Sequence, residues 1–190
     1  MSIVTVKVRI VGVPPGLLQQ SKGVMIADEE KSGKGITRTP EQEAALRCHW
    51  LQSGKKKTCS IPWVAVYKSL CTAASDFKIR GRKSAGTLIA ATVSCADDLI
   101  SIGTDQFETY IEFVRIPPRT GALVRIGRPR FREWSADFAL IVDAEMYDKG
   151  DVGIIRKIME HSGKMVGIGA WRPQLKGPYG RFLVEKFEVN

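Results

Sequence analysis

Histidine is almost missing from this chain: two residues in 190, His49 and His161. General acid–base chemistry therefore has few players to draw on. Serine–histidine and cysteine–histidine nucleophile motifs are absent. So are a Walker-type phosphate loop and a carboxylate cluster suited to magnesium. The four cysteines, Cys48, Cys59, Cys71 and Cys95, contain no CxxC pair, which excludes the common zinc and dithiol motifs. Cys48-His49 followed by Cys59 offers too few ligands at poor spacing for zinc. The cysteines read as free thiols of a reducing compartment. No apolar run approaches the roughly 20 residues that cross a bilayer. The opening Met-Ser-Ile-Val-Thr-Val-Lys is a strand pattern and not a signal peptide. These absences point to a cytoplasmic protein with no cofactor, no metal and no membrane partner, and to binding rather than catalysis.

What the sequence does have is positive charge. Lysine and arginine total 29 against 20 acids, a net charge of +9. Such a surplus favours polyanions and speeds association with them. The hydrophobic share of 44% and the charged share of 26% are otherwise ordinary for a globular chain. There are no repeats, low-complexity tracts or linkers, so residues 1–190 read as a single domain.

Period-2 and period-3.6 patterns give the order of elements. Ile3 to Val11 alternates apolar with Lys7 and Arg9, which predicts a strand. Leu17 to Thr39 has little periodicity and reads as a long N-terminal loop. Thr39-Pro40-Glu41 opens a short helix to Leu51, and Gln52 to Lys57 reads as a basic turn. A second helix runs from Ile61-Pro62 to Ser75, with Ser60 as N-cap and Val64, Tyr67, Leu70, Cys71 and Ala74 on its apolar face. Leu88 to Cys95 is β-prone. Phe107 to Ile116, a Pro117 to Gly121 turn and Ala122 to Ile126 form a hairpin, with Arg128 to Arg132 as a break. Trp134 to Val142 is a strand, Asp151 to His161 a helix with Gly153 inside it, and Phe182 to Val189 a last strand. This is an α+β chain of β-α-β-β-α-β plan with a hairpin inserted over about 107–130. It fits a ferredoxin-like or RRM-like sheet.

The cations cluster. Arg115, Arg119, Arg125, Arg128, Arg130 and Arg132 follow one another with no acid before Glu133. Like charges repel until a counter-charge arrives, so a phosphate backbone suits them; a solvated hairpin is the alternative. Lys55, Lys56 and Lys57 precede the middle helix, and Lys78, Arg80, Arg82 and Lys83 follow it. Near the C-terminus, Gly167, Gly169, Gly177 and Gly180 flank Trp171, Arg172, Lys176, Tyr179 and Arg181. Glycine lets another backbone come close, so this loop reads as a cradle for phosphates. Trp171 and Tyr179 offer faces for stacked bases, although Trp171 fits the edge of the core equally well. Trp63, Tyr67, Phe138 and Phe187 are assigned to the core, and Trp134 is left open.

A helix, this glycine-rich loop and a closing strand resemble the RAMP superfamily, the repeat-associated RNA-binding proteins of CRISPR systems. The chain is also similar to short phage-encoded proteins with an Ile-Pro helix opening and a Gly-x-Gly-x-Trp-Arg-Pro … Gly-Arg-Phe ending. The resemblance implies sequence-independent binding of single-stranded RNA, with single-stranded DNA as an alternative strand. It implies a thumb-like role for the hairpin across that strand, and head-to-tail self-association. It further implies a place as a subunit of a CRISPR-type ribonucleoprotein or, as an anti-CRISPR, as the mimic of one. Two rivals stand beside this reading. One is a crRNA-processing endoribonuclease using His49, with Asp28, Glu29 and Glu30 of the long loop standing where an acid does in some target-cleaving RAMP subunits. The other is a phage structural or assembly protein with no nucleic-acid role.

Overall fold

The computed structural model describes residues 2–20, 38–78, 85–116 and 121–190. Asp28, Glu29, Glu30, Arg80, Arg82 and Arg119 lie outside them, as do most of the expected N-terminal loop and the Pro117 turn.

Alternation decides the central strand β1 (Ile3–Gly12): Val6, Val8 and Ile10 are buried while Thr5 and Lys7 face out. It pairs antiparallel with β9 (Ser135–Asp143), whose Ala136, Phe138, Leu140 and Val142 point to the same side. It also pairs with β10 (Phe182–Val189), with a bulge between Arg9 and Ile10. A short strand, β5 (Val93–Cys95), adds to β9. The order is β10-β1-β9-β5, antiparallel throughout. Helices α2 (Trp63–Ala74) and α4 (Gly153–His161) cover the inward face. Leu70, Ala73, Ala74, Ile155, Ile158 and Met159 are fully buried in one cluster with the sheet's apolar residues.

Two smaller antiparallel sheets flank this layer. In one, β4 (Lys56–Pro62) lies between β3 (His49–Ser53) and β6 (Leu99–Ser101). In the other, β8 (Ala122–Phe131) lies between β7 (Glu108–Ile116) and the two-residue β2 (Leu17–Leu18). Helix α1 (Pro40–Arg47) packs on β8, where Gly127 faces the Pro40 carbonyl and its N–H donates to Glu43 Oε2 at 2.7 Å. Thr39 caps this helix reciprocally with Gln42. With α3 (Gly86–Thr92), the described residues form a mixed α+β structure of four helices and antiparallel sheets.

Several sequence expectations are corrected. Leu17 and Leu18 are not loop but a buried strand on Arg130 and Phe131. The first helix stops at Arg47, because His49 to Ser53 pair with β4. The expected basic turn tightens at Gly54 (φ +58°), and Lys56 and Lys57 belong to β4. Ser60 caps no helix. It is buried in β4, its hydroxyl donating to the His49 carbonyl at 3.0 Å, and Pro62 stands before α2. The buried face of α2 is Val66, Ser69, Leu70, Ala73 and Ala74, not the face of Val64, which is 52% exposed. Ser69 shifts the stripe, because it bonds Ser162 Oγ (2.7 Å) and the Gly167 carbonyl (2.8 Å). Leu88 to Cys95 splits into α3 and β5, since Leu88, Ile89 and Thr92 fall on one helical face and the Thr92 hydroxyl donates to the Leu88 carbonyl. Arg128 to Phe131 continue β8 and do not break it: Pro129 needs no N–H there, and its carbonyl accepts from Gln19 N. Gly153 starts α4, bonded to Asp151, rather than sitting inside it.

Candidate nucleic-acid interface

The C-terminal loop is held by its own chain. After α4 a wide turn, Ser162–Val166, leads into Gly167, whose N–H returns to Ser162. Ile168 N donates to the Gly180 carbonyl, Gly180 N to Gly16, Ala170 N to Leu18 and Tyr179 N to Trp171. Gly169 (φ +80°) lies against the Leu18 carbonyl and Gly180 (φ +74°) against that of Ile168. Gly177 abuts the Trp171 main chain, and Gly167 abuts Pro173 and the Gly180 carbonyl. A Cβ at any of these four positions would collide with its neighbour. These glycines therefore close the loop on itself, while Gly167 and Gly169 also border a cavity beside α2.

The expectation for the arginine arm is corrected. The register of β7 and β8 sets Glu108 opposite Arg130 and Tyr110 opposite Arg128. Arg130 and Arg132 both bond Glu108, and Arg128 bonds Glu112. The hydrogen bonds from Arg132 and Arg130 hold the Glu108 carboxyl below the ordinary glutamate value. Burial slightly opposes Arg130's charge, but its bond to Glu108 prevails and raises it. These three arginines thus meet acids from the preceding strand, so the arm carries its own counter-charges. Arg125 and Arg115 remain exposed, the latter donating to the Gly121 carbonyl at 3.3 Å.

The aromatics tie loop to arm. Trp171 (φ +50°) is 47% exposed, neither core plug nor free platform, and its Nε1 donates to Glu112 Oε1 at 2.8 Å. Tyr179 meets the Tyr110 ring edge-on at 5.8 Å, and Arg130 lies over Tyr110. Lys176 and Arg181 are exposed. Lys55 and Lys56 are exposed on the β3–β4 hairpin, and Lys57 covers the Trp50 ring at 4.2 Å. Trp134 is buried against Gly12. His161 pairs with Asp76 at 2.8 Å.

Three residues expected in the C-terminal site, Gly167, Gly169 and Arg172, border a concavity whose other wall was not expected from sequence. A groove separates α2 from residues 167–174. It comprises two cavities of about 360 and 210 Å³ that share Gln20, Ala65, Lys68, Ile168 and Gly169. Lys68 projects from the exposed face of α2, and Arg172 stands on the opposite wall, its Nη1 donating to the Gly169 carbonyl (3.0 Å) and its Nε to Gln174 (3.1 Å). His49 lines the smaller cavity. None of the described residues lining either cavity is a carboxylate. A third cavity, of about 410 Å³, differs: Asp148 and Asp151 face Lys78 and Lys149 there. The sequence signal for the groove is the helical stripe Val64, Lys68, Cys71 and Thr72, which is too polar for core, although Val64 and Cys71 were expected on the apolar face.

Among the described residues, no group of three or more His, Cys, Asp or Glu is placed to hold a metal ion, and no helix is long and apolar enough to cross a membrane. No protein-family model matches the chain, and no curated protein matches it in sequence.

Proposed function

We propose that this protein binds single-stranded RNA along its phosphate backbone, without catalysis and with little regard to sequence, in the groove between α2 and the C-terminal loop. One observation carries the reading: the groove is walled by Lys68 and Arg172, and none of the described residues lining it is a carboxylate. A concave surface with cations on both walls suits a polyanion. The order β10-β1-β9-β5, with α2 and α4 between its strands in sequence, supports a ferredoxin-like sheet in which β7 and β8 are an inserted hairpin. A helix, a glycine-rich loop and a final strand on that sheet support a RAMP-like protein of the cytoplasm. Copies of it associate head to tail, or join or imitate subunits of a CRISPR-type ribonucleoprotein.

The test is fluorescence anisotropy of a labelled single-stranded RNA over a salt series. Lys68→Ala with Arg172→Ala should weaken binding of every sequence alike and flatten the logarithmic salt slope by about one for each lost phosphate contact. Both variants keep the core intact, since Lys68 is exposed and Arg172 half-buried. An unchanged affinity and slope in the double variant, or no binding by the parent protein at 50 mM salt, sinks the reading.

His49 favours a second reading, because it lines the same groove. It makes the protein an endoribonuclease with His49 as general acid or base. Cleavage of a hairpin RNA by the purified protein, abolished by His49→Ala, would replace the first reading.

A further inference from the structure

The groove has two halves, and only one of them is bordered by Arg172. Toward Arg172 its walls carry Lys68, Ser69, Thr72 and Gln174 beside Ala65, Tyr67 and Cys71. Toward β2 and β4 it becomes a cup of about 210 Å³ built from Leu17, Ile61, Pro62, Val64 and Ile168. Leu17, Ile61 and Ile168 are at most 2% exposed and form its floor, while Val64, at 52%, stands exposed beside them. Lys68 and Gly169 belong to both halves, so the two are continuous.

A nucleotide is divided in the same way. Its phosphate is anionic, and its base is a flat ring with apolar faces. Resting on the reading of the groove as an RNA site, we infer that the apolar cup receives one unstacked base of the strand whose phosphate lies between Lys68 and Arg172. Polar residues also line the cup: Gln19, Gln20, His49 and Lys68. Gln19 is only 3% exposed, and both ends of its amide are used: Nε2 donates to the Ser60 carbonyl at 2.6 Å and Oε1 accepts from His49 N at 3.1 Å. The cup selects the state of the strand. A paired, stacked base cannot enter without being turned out of the helix, which costs a few kcal/mol. Single strands present such bases freely.

Three probes separate the possibilities at 50 mM salt: a single-stranded RNA, the same strand in a perfect duplex, and the same backbone with every base removed. The variant is Val64→Trp, which fills the cup from an exposed position and leaves the core untouched. The parent protein should bind the single strand about tenfold or more tighter than the duplex or the abasic strand, as base contacts in single-strand sites commonly give. Val64→Trp should lose that advantage while binding the abasic strand as the parent does. Equal affinity of the parent for all three probes overturns the base cup and leaves backbone binding standing. So does a preference that Val64→Trp does not alter. No binding of any probe would instead remove the RNA reading itself.

Discussion

Two groups from different parts of the chain reach Glu112. Arg128 pairs with one carboxylate oxygen across the hairpin, and the Trp171 indole donates to the other at 2.8 Å. Glu112 is 9% exposed and Arg128 13%, so the pair sits largely out of water. Removing one member of such a pair leaves the other charge buried without compensation. Glu112→Ala should therefore cost about 3 kcal/mol, near the low end for buried pairs because part of Arg128 stays wet. It should also free the Trp171 ring. Urea unfolding followed by tryptophan fluorescence reads both effects. Glu112→Gln keeps an acceptor for the indole and should cost less. A Glu112→Ala protein as stable as the parent would show that the loop does not depend on this contact. Gly180 makes a related point. Its φ of +74° and its contact with the Ile168 carbonyl both exclude a side chain, so Gly180→Ala should destabilise by about 2 kcal/mol, measured in the same way.

At the scale of elements, the hairpin base depends on acid. Glu108 accepts from Arg132 and Arg130, and its carboxyl is held below the ordinary value near 4.5. A carboxylate with a depressed folded value adds stability that is present above the unfolded value and lost as pH falls through the folded one. Thermal stability should thus decline on acidification below about pH 4.5, with Glu108→Gln showing a shallower decline. Identical acid profiles for the two proteins would count against the assignment. This pairing was invisible in the sequence, because it exists only once the register puts β7 opposite β8. The six arginines from Arg115 to Arg132 look unopposed when read in a line. Strands with clean alternation, β1 and β10, were legible in full, and the cap Thr39-Pro40 marked a true helix start. Leu88 to Cys95 was not legible, since a short apolar run fits a buried helix as well as a strand. The groove was harder still: residues 17–20, His49, 61–72 and 167–174 supply its walls, and no local pattern links four distant segments.

Across the whole molecule the charges separate. The hairpin springs from the Ser135 end of β9 and carries exposed Arg115 and Arg125, next to Phe113 and Leu123, which are 63% and 60% exposed. At the other end of β9, Asp143 leads into exposed Glu145, Asp148 and Asp151, with Met146 46% exposed among them. Nine residues of strand separate the two ends by about 30 Å. The hairpin packs mainly on α1 and β2. A basic, apolar ribbon at one end can meet the exposed Glu145, Asp148 and Asp151 of another copy, in competition with the neighbouring Lys78 and Lys149. Contacts of that kind are heterologous and propagate unless the rotation closes. The proposed head-to-tail association should therefore appear in sedimentation velocity at low salt as species that grow with protein concentration. Salt at about 0.5 M should shrink them, since exposed charges are screened within a few ångströms there. Arg115→Glu with Arg125→Glu should do the same at low salt, and adding Asp148→Arg with Asp151→Arg should restore the larger species by reversing both partners. A monomer at every concentration and salt excludes such an assembly, and assemblies indifferent to both charge reversals place the contact elsewhere on the surface.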